Sequence, residues 1–243
     1  MELWRRNTAP VKSALMGVLT NTLTTAFRTP LGSRGMLVCP VVPEKKLAFV
    51  SIPKNAGTSI RVAFGVAQGF HQEGEKVVNV SLKRWPSVKT KEMINLLGLL
   101  GFHRFSVARN PWERLVSCWK DKRHNEEFLR KSGGLFRGGM DFPSFAEVAC
   151  SVPDDNADRH CRSQLSFISI REKVLVDRII RFETLGPDWE VLRQEFHLPA
   201  LPHYKQTGAT DSYLELYEKY PETKELVTRR YREDIDYFGY DFE

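Results

Sequence analysis

Residues 46–64, "KLAFVSIPKNAGTSIRVAF", decide the fold of this 243-residue chain. The stretch begins with the apolar run "LAFVSI", which is typical of a parallel strand buried on both faces. It ends in a segment where Ile60, Ala63 and Phe64 recur at helical spacing and form one apolar face. A short polar turn separates the two parts. The stretch therefore predicts a strand, a tight loop and a helix.

The residues of this loop have the chemistry of an anion site. Gly57 permits tight backbone geometry, and Thr58 and Ser59 supply hydroxyl donors. Their amides would lie at a helix N-terminus, where unpaired N–H groups and the helix dipole attract anions. Lys54 adds a mobile cation. The loop predicts a cradle for a phosphate-like group, although the ATP-binding motif GxxxxGK[ST] places its lysine after the second glycine. The alternative is a strand–turn–helix with cap residues and a surface lysine.

Composition narrows the class of protein. The net charge of +6 favours anionic partners, among them nucleic acid, phosphate, sulfate and membrane surfaces. A chain of this length, with 42% hydrophobic residues, can bury a core without disulfides or metals. The four cysteines form no CxxC pair, which argues against a zinc ribbon or a thioredoxin-type site and predicts buried or reduced thiols.

A second junction follows in "VARNPWERLVSCWKDK". Asn110 as N-cap, Pro111 at the first helical position and Glu113 three residues after the cap predict the start of a helix. Arg109 ends the preceding strand, and its planar fork can hold a phosphate. Ser117, on the helix, can add a hydroxyl bond. The alternative is a salt-bridged arginine and a small packing residue.

The rest of the chain alternates between strand and helix patterns. Helices are predicted in "KEMINLLGLL", "FPSFAEVA", "DWEVLRQEF" and "PETKELVTRRYREDIDYF", and further strands in "FHRFSVAR" and "VLVDRIIRFETL". This alternation predicts an α/β fold with a parallel sheet flanked by helices. Ligands of such sheets bind beyond the carboxyl ends of the strands. Two junctions of this kind suit a ligand with two separated anionic groups.

Together, the junctions resemble the nucleotide-binding signatures of sulfotransferases that use 3′-phosphoadenosine 5′-phosphosulfate (PAPS). "SIPKNAGTS" resembles the 5′-phosphosulfate loop, and "VARNPWERLVSCWKDK" resembles the 3′-phosphate element, with Arg109 and Ser117 at the phosphate-binding places. The pattern most resembles carbohydrate sulfotransferases of the heparan 2-O, chondroitin and HNK-1 types. Similar segments, including "DRHCRSQLSFI", "VDRIIRFETLGPDWEVL" and "RYREDIDYFGY", extend the resemblance over residues 45–242. The loop residues that the resemblance implies in PAPS binding are Pro53, Lys54, Asn55, Ala56, Gly57, Thr58 and Ser59.

The resemblance implies a P-loop-like sulfotransferase domain that transfers a sulfuryl group from PAPS to a hydroxyl group, here predicted to belong to a saccharide. Lys54 would stabilise charge on the departing 5′-phosphate oxygen. No metal is implied, because the lysine and the helix dipole neutralise the charge, and no nucleic acid partner is expected. We predict a basic N-terminal extension over residues 1–43 and the domain over residues 44–243. We expect a cytoplasmic protein; the alternative is membrane association, or the Golgi in a eukaryote.

The acceptor hydroxyl needs a general base, for which histidine is the usual choice. Relatives carry a histidine near the place where this chain has "KRWPSVKT", which contains none. The candidates are His71, Glu73, His103 and His160, and we favour His160 in "DNADRHCRSQ". The alternatives are that His103 packs in the core, that His71 lies at the surface and that His160 only orders a loop.

Three other functions fit parts of the sequence. The missing upstream histidine favours a non-catalytic module of the same fold that binds a nucleotide or polyanion, whereas Lys54, Arg109 and Ser117 together favour an enzyme. A small-molecule phosphotransferase would need the lysine-after-glycine loop and a carboxylate for Mg²⁺. A nucleic-acid binder would explain the positive charge but not the two junctions.

Overall fold

A computed structural model describes residues 37–70, 87–202 and 213–242. Most of the predicted extension lies outside these residues, as do half of "KRWPSVKT" and the candidates His71 and Glu73. The seven strands of the described part are β1 (Cys39–Val42), β2 (Leu47–Val50), β3 (Ser87–Val88), β4 (His103–Ala108), β5 (Ser169–Ile170), β6 (Lys173–Val174) and β7 (Arg178–Arg181). Its ten α-helices are α1 (Gly57–Ala67), α2 (Lys91–Leu99), α3 (Pro111–Lys122), α4 (Glu126–Lys131), α5 (Phe142–Ser151), α6 (Leu165–Ile168), α7 (Leu185–Phe196), α8 (Tyr213–Lys219), α9 (Pro221–Arg230) and α10 (Arg232–Phe238).

The central sheet has five strands in the order β3-β1-β2-β4-β7. Strands β2, β4 and β7 are parallel, as predicted, but β1 is antiparallel to both β2 and β3. The sheet is therefore mixed, and the prediction of a wholly parallel sheet is wrong at this edge. The reason is the short 3₁₀ turn Pro43–Lys45 between β1 and β2, since a parallel crossover needs a dozen or more residues. Because β1 pairs with β2, the sheet begins before residue 44.

The predicted helix starts follow from local sequence. The Asn110 side chain accepts hydrogen bonds from the amides of Trp112 and Glu113 at 3.1 and 3.3 Å, and Pro111 opens α3. In α1 the predicted apolar face is buried, and the ring of Phe64 lies 6.1 Å from that of Phe105 on β4. The strand–loop–helix order predicted for both junctions is confirmed.

The C-terminal helical pattern forms two helices, α9 and α10, rather than one. The break is at Tyr231, whose backbone leaves the helical range and whose buried hydroxyl donates to the Cys161 carbonyl at 2.7 Å. All four cysteines are free. No helix within the described ranges has both the length and the apolar content to cross a bilayer.

Candidate active site

The two predicted junctions lie side by side at the carboxyl ends of the neighbouring parallel strands β2 and β4. Val50 near the end of β2 is paired with Ser106 near the end of β4, so the loops that follow these strands are neighbours. Gln164 joins the loops: its Oε1 accepts from Asn55 Nδ2 at 2.6 Å and from the Arg109 amide at 2.9 Å, and its Nε2 donates to the Arg109 carbonyl at 2.8 Å. Sequence reasoning missed Gln164, although it lies in a segment that carried the resemblance. The buried amide network fixes the spacing of the two junctions.

The first loop has a constrained backbone. Lys54 and Ala56 have φ angles of 74° and 55°, in the left-handed region that side chains other than glycine rarely adopt. A β-carbon added to Gly57 would lie 2.7 Å from Ser51 Oγ, so this close approach requires glycine. Such strain persists only where the surroundings enforce it, and it is concentrated at functional sites.

The N-terminus of α1 is open. Its N-cap residue, Ala56, makes no side-chain hydrogen bond to the first turn, and no acidic residue lies in that turn. By contrast, the Asn110 side chain caps α3. The first amides of α1, from Gly57 to Ser59, are therefore available to an anion, with the positive end of the helix dipole behind them. The backbone needed for the predicted cradle is present.

Lys54 lies at the mouth of this loop in an ion pair. Its Nζ is 3.1 Å from Asp121 Oδ2, and Lys122 Nζ is also 3.1 Å from the same oxygen. Burial lowers the pKa of Lys54, and the Asp121 charge opposes this shift. Burial acts to raise the pKa of Asp121, but the two lysines lower it to about 2. Sequence analysis did not predict a role for Asp121, which lies on the same helix, α3, as the predicted Ser117.

Arg109 is held by several partners. Its guanidinium donates to both Glu113 oxygens, at 3.2 and 2.7 Å, and to the Lys54 carbonyl at 3.0 Å. It also lies 4.1 Å from the centre of the Phe182 ring. The contacts fix the Lys54 carbonyl and balance the arginine charge. Ser117, one turn after Glu113, is 8% exposed. Binding of a 3′-phosphate by Arg109 and Ser117 stays a prediction.

Arg114, which precedes Ser117 on the same helix, ties the loop to a third segment. Its Nε donates to the Pro53 carbonyl at 3.1 Å, and its Nη1 donates to the Arg162 carbonyl at 2.8 Å. The segment 158–164 is thereby held against both junctions. His160 lies in this segment.

His160 forms a pair with Asp158. Its Nδ1 lies 2.7 Å from Asp158 Oδ1, which also accepts from the His160 amide at 2.9 Å. Burial lowers the pKa of His160; Lys122 and Arg159 lower it further, and the Asp158 carboxylate opposes them. Because Lys122 also pairs with Asp121, one chain of charges leads from His160 to Lys54. The joint action of His160 and Lys54 in one site stays a prediction.

The other described candidate base, His103, lies elsewhere. It begins β4, opposite Leu47 at the start of β2, whereas both junctions follow the ends of these strands. Its ring packs 5.2 Å from that of Phe196, and burial lowers its pKa. His103 is therefore a packing residue, which is one of the alternatives considered above.

Sequence reasoning missed two further arginines, one on α1 and one beside His160. Arg61 on α1 donates from Nη2 to Thr58 Oγ1 at 3.2 Å, and Arg159 lies next to His160. The position of Arg61 four residues after Gly57 was a usable signal, because helical side chains point toward the N-terminus. Within the described part of the chain, no group of three or more histidine, cysteine or acidic side chains could hold a metal ion.

Comparison with known proteins identifies the family of the chain. A family model described as "Sulfotransferase family" matches residues 39–241, which include both junctions and the segment of His160. No curated protein and no solved structure matches the chain.

Proposed function

The chain belongs to the sulfotransferase family, whose chemistry is sulfuryl transfer, and on this premise we propose that it transfers a sulfuryl group from PAPS to a hydroxyl group of a saccharide. The observation that carries the proposal is the position of Lys54 beside the open N-terminus of α1. An uncapped helix start next to a lysine is suited to a phosphate that becomes a leaving group.

Each junction would bind a different phosphate group of the donor. The amides of Gly57, Thr58 and Ser59 would hold the 5′-phosphate, while Arg109 and Ser117 would hold the 3′-phosphate. Glycine fits this loop, because a β-carbon at position 57 would lie 2.7 Å from Ser51 Oγ. PAPS supplies the activated sulfuryl group. Lys54 would then neutralise the charge that develops on the 5′-phosphate oxygen as the bond to sulfur breaks.

His160 is the proposed general base. In the proposed tautomer Nδ1–H donates a hydrogen bond to Asp158 Oδ1, which leaves Nε2 as the atom that takes the proton of the acceptor hydroxyl. The lowered pKa keeps the imidazole neutral near pH 7, the form that a base requires. As the hydroxyl proton moves to Nε2, the hydroxyl oxygen bonds to sulfur and the electron pair of the broken bond stays on the 5′-phosphate oxygen.

The test is a comparison of donor binding with transfer in Lys54→Ala. A lysine that meets charge in the transition state contributes more to turnover than to binding. We expect single-turnover transfer of a labelled sulfuryl group to fall on the order of 10²–10³-fold, with a smaller loss of PAPS affinity. Lys54→Arg should rescue poorly, because a planar guanidinium does not replace a compact ammonium. Lys131→Ala, at an exposed site, is the matched control.

Three other outcomes would contradict the proposed transfer reaction or the proposed role of Lys54. A wild-type protein that binds PAPS yet sulfates nothing in a panel of glycans, steroids and phenols would be a non-catalytic module of the same fold. Tight Mg²⁺-dependent binding of ATP with no binding of PAPS would make it a phosphotransferase. An unchanged single-turnover rate in Lys54→Ala with weaker PAPS binding would reduce the lysine to a tether.

A further inference from the structure

Arg61 and Arg159 form a pair of like charges beside the first turn of α1. Arg61 donates to Thr58 Oγ1, and its Nη1 would lie 3.7 Å from a β-carbon on Gly57. The guanidinium of Arg61 is therefore next to the amides of the predicted cradle. Arg159 lies in the segment that carries His160, and its charge acts on both Arg61 and His160.

Both arginines keep buried donors without partners. The Nε atoms of Arg61 and Arg159 are inaccessible to solvent and have no hydrogen-bond partner among the described residues. Burial and the charge of Arg159 lower the pKa of Arg61 to about 10, and no carboxylate contributes to its environment in the described part of the chain. Burial lowers the pKa of Arg159 as well, against the attraction of Asp158. Unpaired buried donors on adjacent like charges are unfavourable.

The pair contrasts with Arg109. The Arg109 guanidinium has a carboxylate, a carbonyl and an aromatic ring as partners, so it is balanced without a ligand. In the described part of the chain, no carboxylate acts on Arg61, and Arg159 is attracted by Asp158, whose carboxylate also binds His160. An anion that approaches the two arginines would therefore add the charge balance that Arg61 lacks and that Arg159 shares with His160. A guanidinium presents several N–H donors in a rigid fork, so two of them suit an anion with oxygens on more than one side.

We propose that Arg61 and Arg159 bind the oxygens of the sulfuryl group of the donor. The proposal rests on the function proposed above and adds two catalytic residues to it. Arg61 adjoins the amides proposed for the 5′-phosphate, and Arg159 is the chain neighbour of His160, the proposed base. The sulfur atom must lie between these two groups when the acceptor attacks. Arg61 and Arg159 therefore neutralise the sulfuryl oxygens from the sides while Lys54 neutralises the leaving oxygen.

The test compares two ligands that differ in the sulfuryl group. Adenosine 3′,5′-bisphosphate lacks this group and PAPS carries it, so their affinities are measured by calorimetry for the wild type, Arg61→Gln and Arg159→Gln. We expect each substitution to weaken PAPS binding about tenfold and to change bisphosphate binding less than twofold. Arg229→Gln, on the exposed face of α9, removes the same charge and should change neither affinity.

Bisphosphate affinity also shows that each variant is folded. A second measurement uses the ligand-free protein: neither variant should have a lower Tm than Arg229→Gln, since each relieves a repulsion between like charges. If Arg61→Gln does not fold, Arg159→Gln and Arg61→Lys still test the pair, and the lysine variant should fall between the wild type and glutamine.

Three results would overturn the proposal. Equal losses for PAPS and bisphosphate would assign the pair to the nucleotide phosphates. Unchanged affinities with a raised KM for the acceptor would assign it to an anionic group of the acceptor. A lower Tm in both glutamine variants would make it structural. Failure of the wild type to bind either nucleotide is distinct from these results, because it would refute the proposed function itself.

Discussion

The ammonium of Lys54 and the carboxylate of Asp121 lie 3.1 Å apart and form an ion pair at the mouth of the loop. Lys122 holds the same carboxylate oxygen, so Asp121 stays ionised far into acid, with a pKa of about 2. The carboxylate thus occupies the position of a counter-ion for Lys54. A phosphate that is to use Lys54 must compete with Asp121 for it.

Removing this competitor should strengthen nucleotide binding. In Asp121→Asn, we expect the affinity for adenosine 3′,5′-bisphosphate to rise roughly tenfold, because one negative charge near the site is lost and Lys54 is released. Calorimetry measures the change, and Glu127→Gln, which removes an equal charge at an exposed site, is the control. Weaker binding in Asp121→Asn would show that Asp121 instead holds Lys54 in its functional position.

Arg109→Ala tests the predicted 3′-phosphate site. If Arg109 contacts this phosphate, we expect a loss of roughly 1.5–3 kcal/mol in bisphosphate binding. Adenosine 5′-monophosphate, which lacks the 3′-phosphate, should lose less affinity, so selectivity falls. Arg178→Ala, which removes an arginine of β7 paired with Glu195, is the control. Equal losses for both nucleotides would mean that Arg109 acts only by holding the Lys54 carbonyl.

The pH dependence of transfer tests His160. The base must be neutral, and burial holds its pKa below the usual 6.5, so the rate should fall only as the pH drops below that value. Asp158 raises the pKa of His160, so Asp158→Asn should move this acid limb to lower pH as well as slow transfer. A limb that moves to higher pH would contradict the pairing.

His160→Ala should abolish transfer and leave nucleotide affinity unchanged, whereas His124→Ala, at an exposed position, should alter neither. A fully active His160→Ala enzyme would place the base elsewhere. His71 and Glu73 are then the next candidates, and both lie outside the described residues.

Asp234 should make stability depend on pH. Burial raises its pKa from 3.8 to about 6, although it accepts hydrogen bonds from the amides of Gln164 and Leu165 at 2.7 and 2.9 Å. The folded protein holds this proton more tightly than the unfolded chain. The stabilisation is therefore complete below pH 4 and is lost as the pH rises through 6, by up to about 3 kcal/mol.

Asp234→Asn removes this titration. Urea unfolding at pH 4 and pH 7 measures it: the free energy of unfolding of the variant, relative to that of the wild type, should be larger at pH 7 than at pH 4, so the variant is relatively more stable at pH 7. Asp236→Asn, which replaces an exposed aspartate of the same helix, is the control. A difference between variant and wild type that is independent of pH would contradict the raised pKa.

Local sequence patterns determined the two junctions. Apolar runs, helical spacing and the Asn110 cap act within a few residues, so they specify the same strand–loop–helix units wherever these lie in the fold. Gly57 was also identified, but the structure needs it for the close approach of Ser51 Oγ, while the positive φ angles of the loop fall at Lys54 and Ala56. The mixed sheet was missed because alternating strands and helices indicate parallel strands, whereas the short turn before Lys46 reverses the chain.

Tertiary structure alone decided which charges meet at the site. The Asn55–Gln164 hydrogen bond joins residues 109 positions apart, and the pairs Lys54–Asp121 and Arg61–Arg159 are likewise remote in sequence. The sequence alone leaves many possible partners for each charged side chain. Its partner and its pKa depend on distance and burial, which arise only when the ends of β2 and β4 and the segment 158–164 come together.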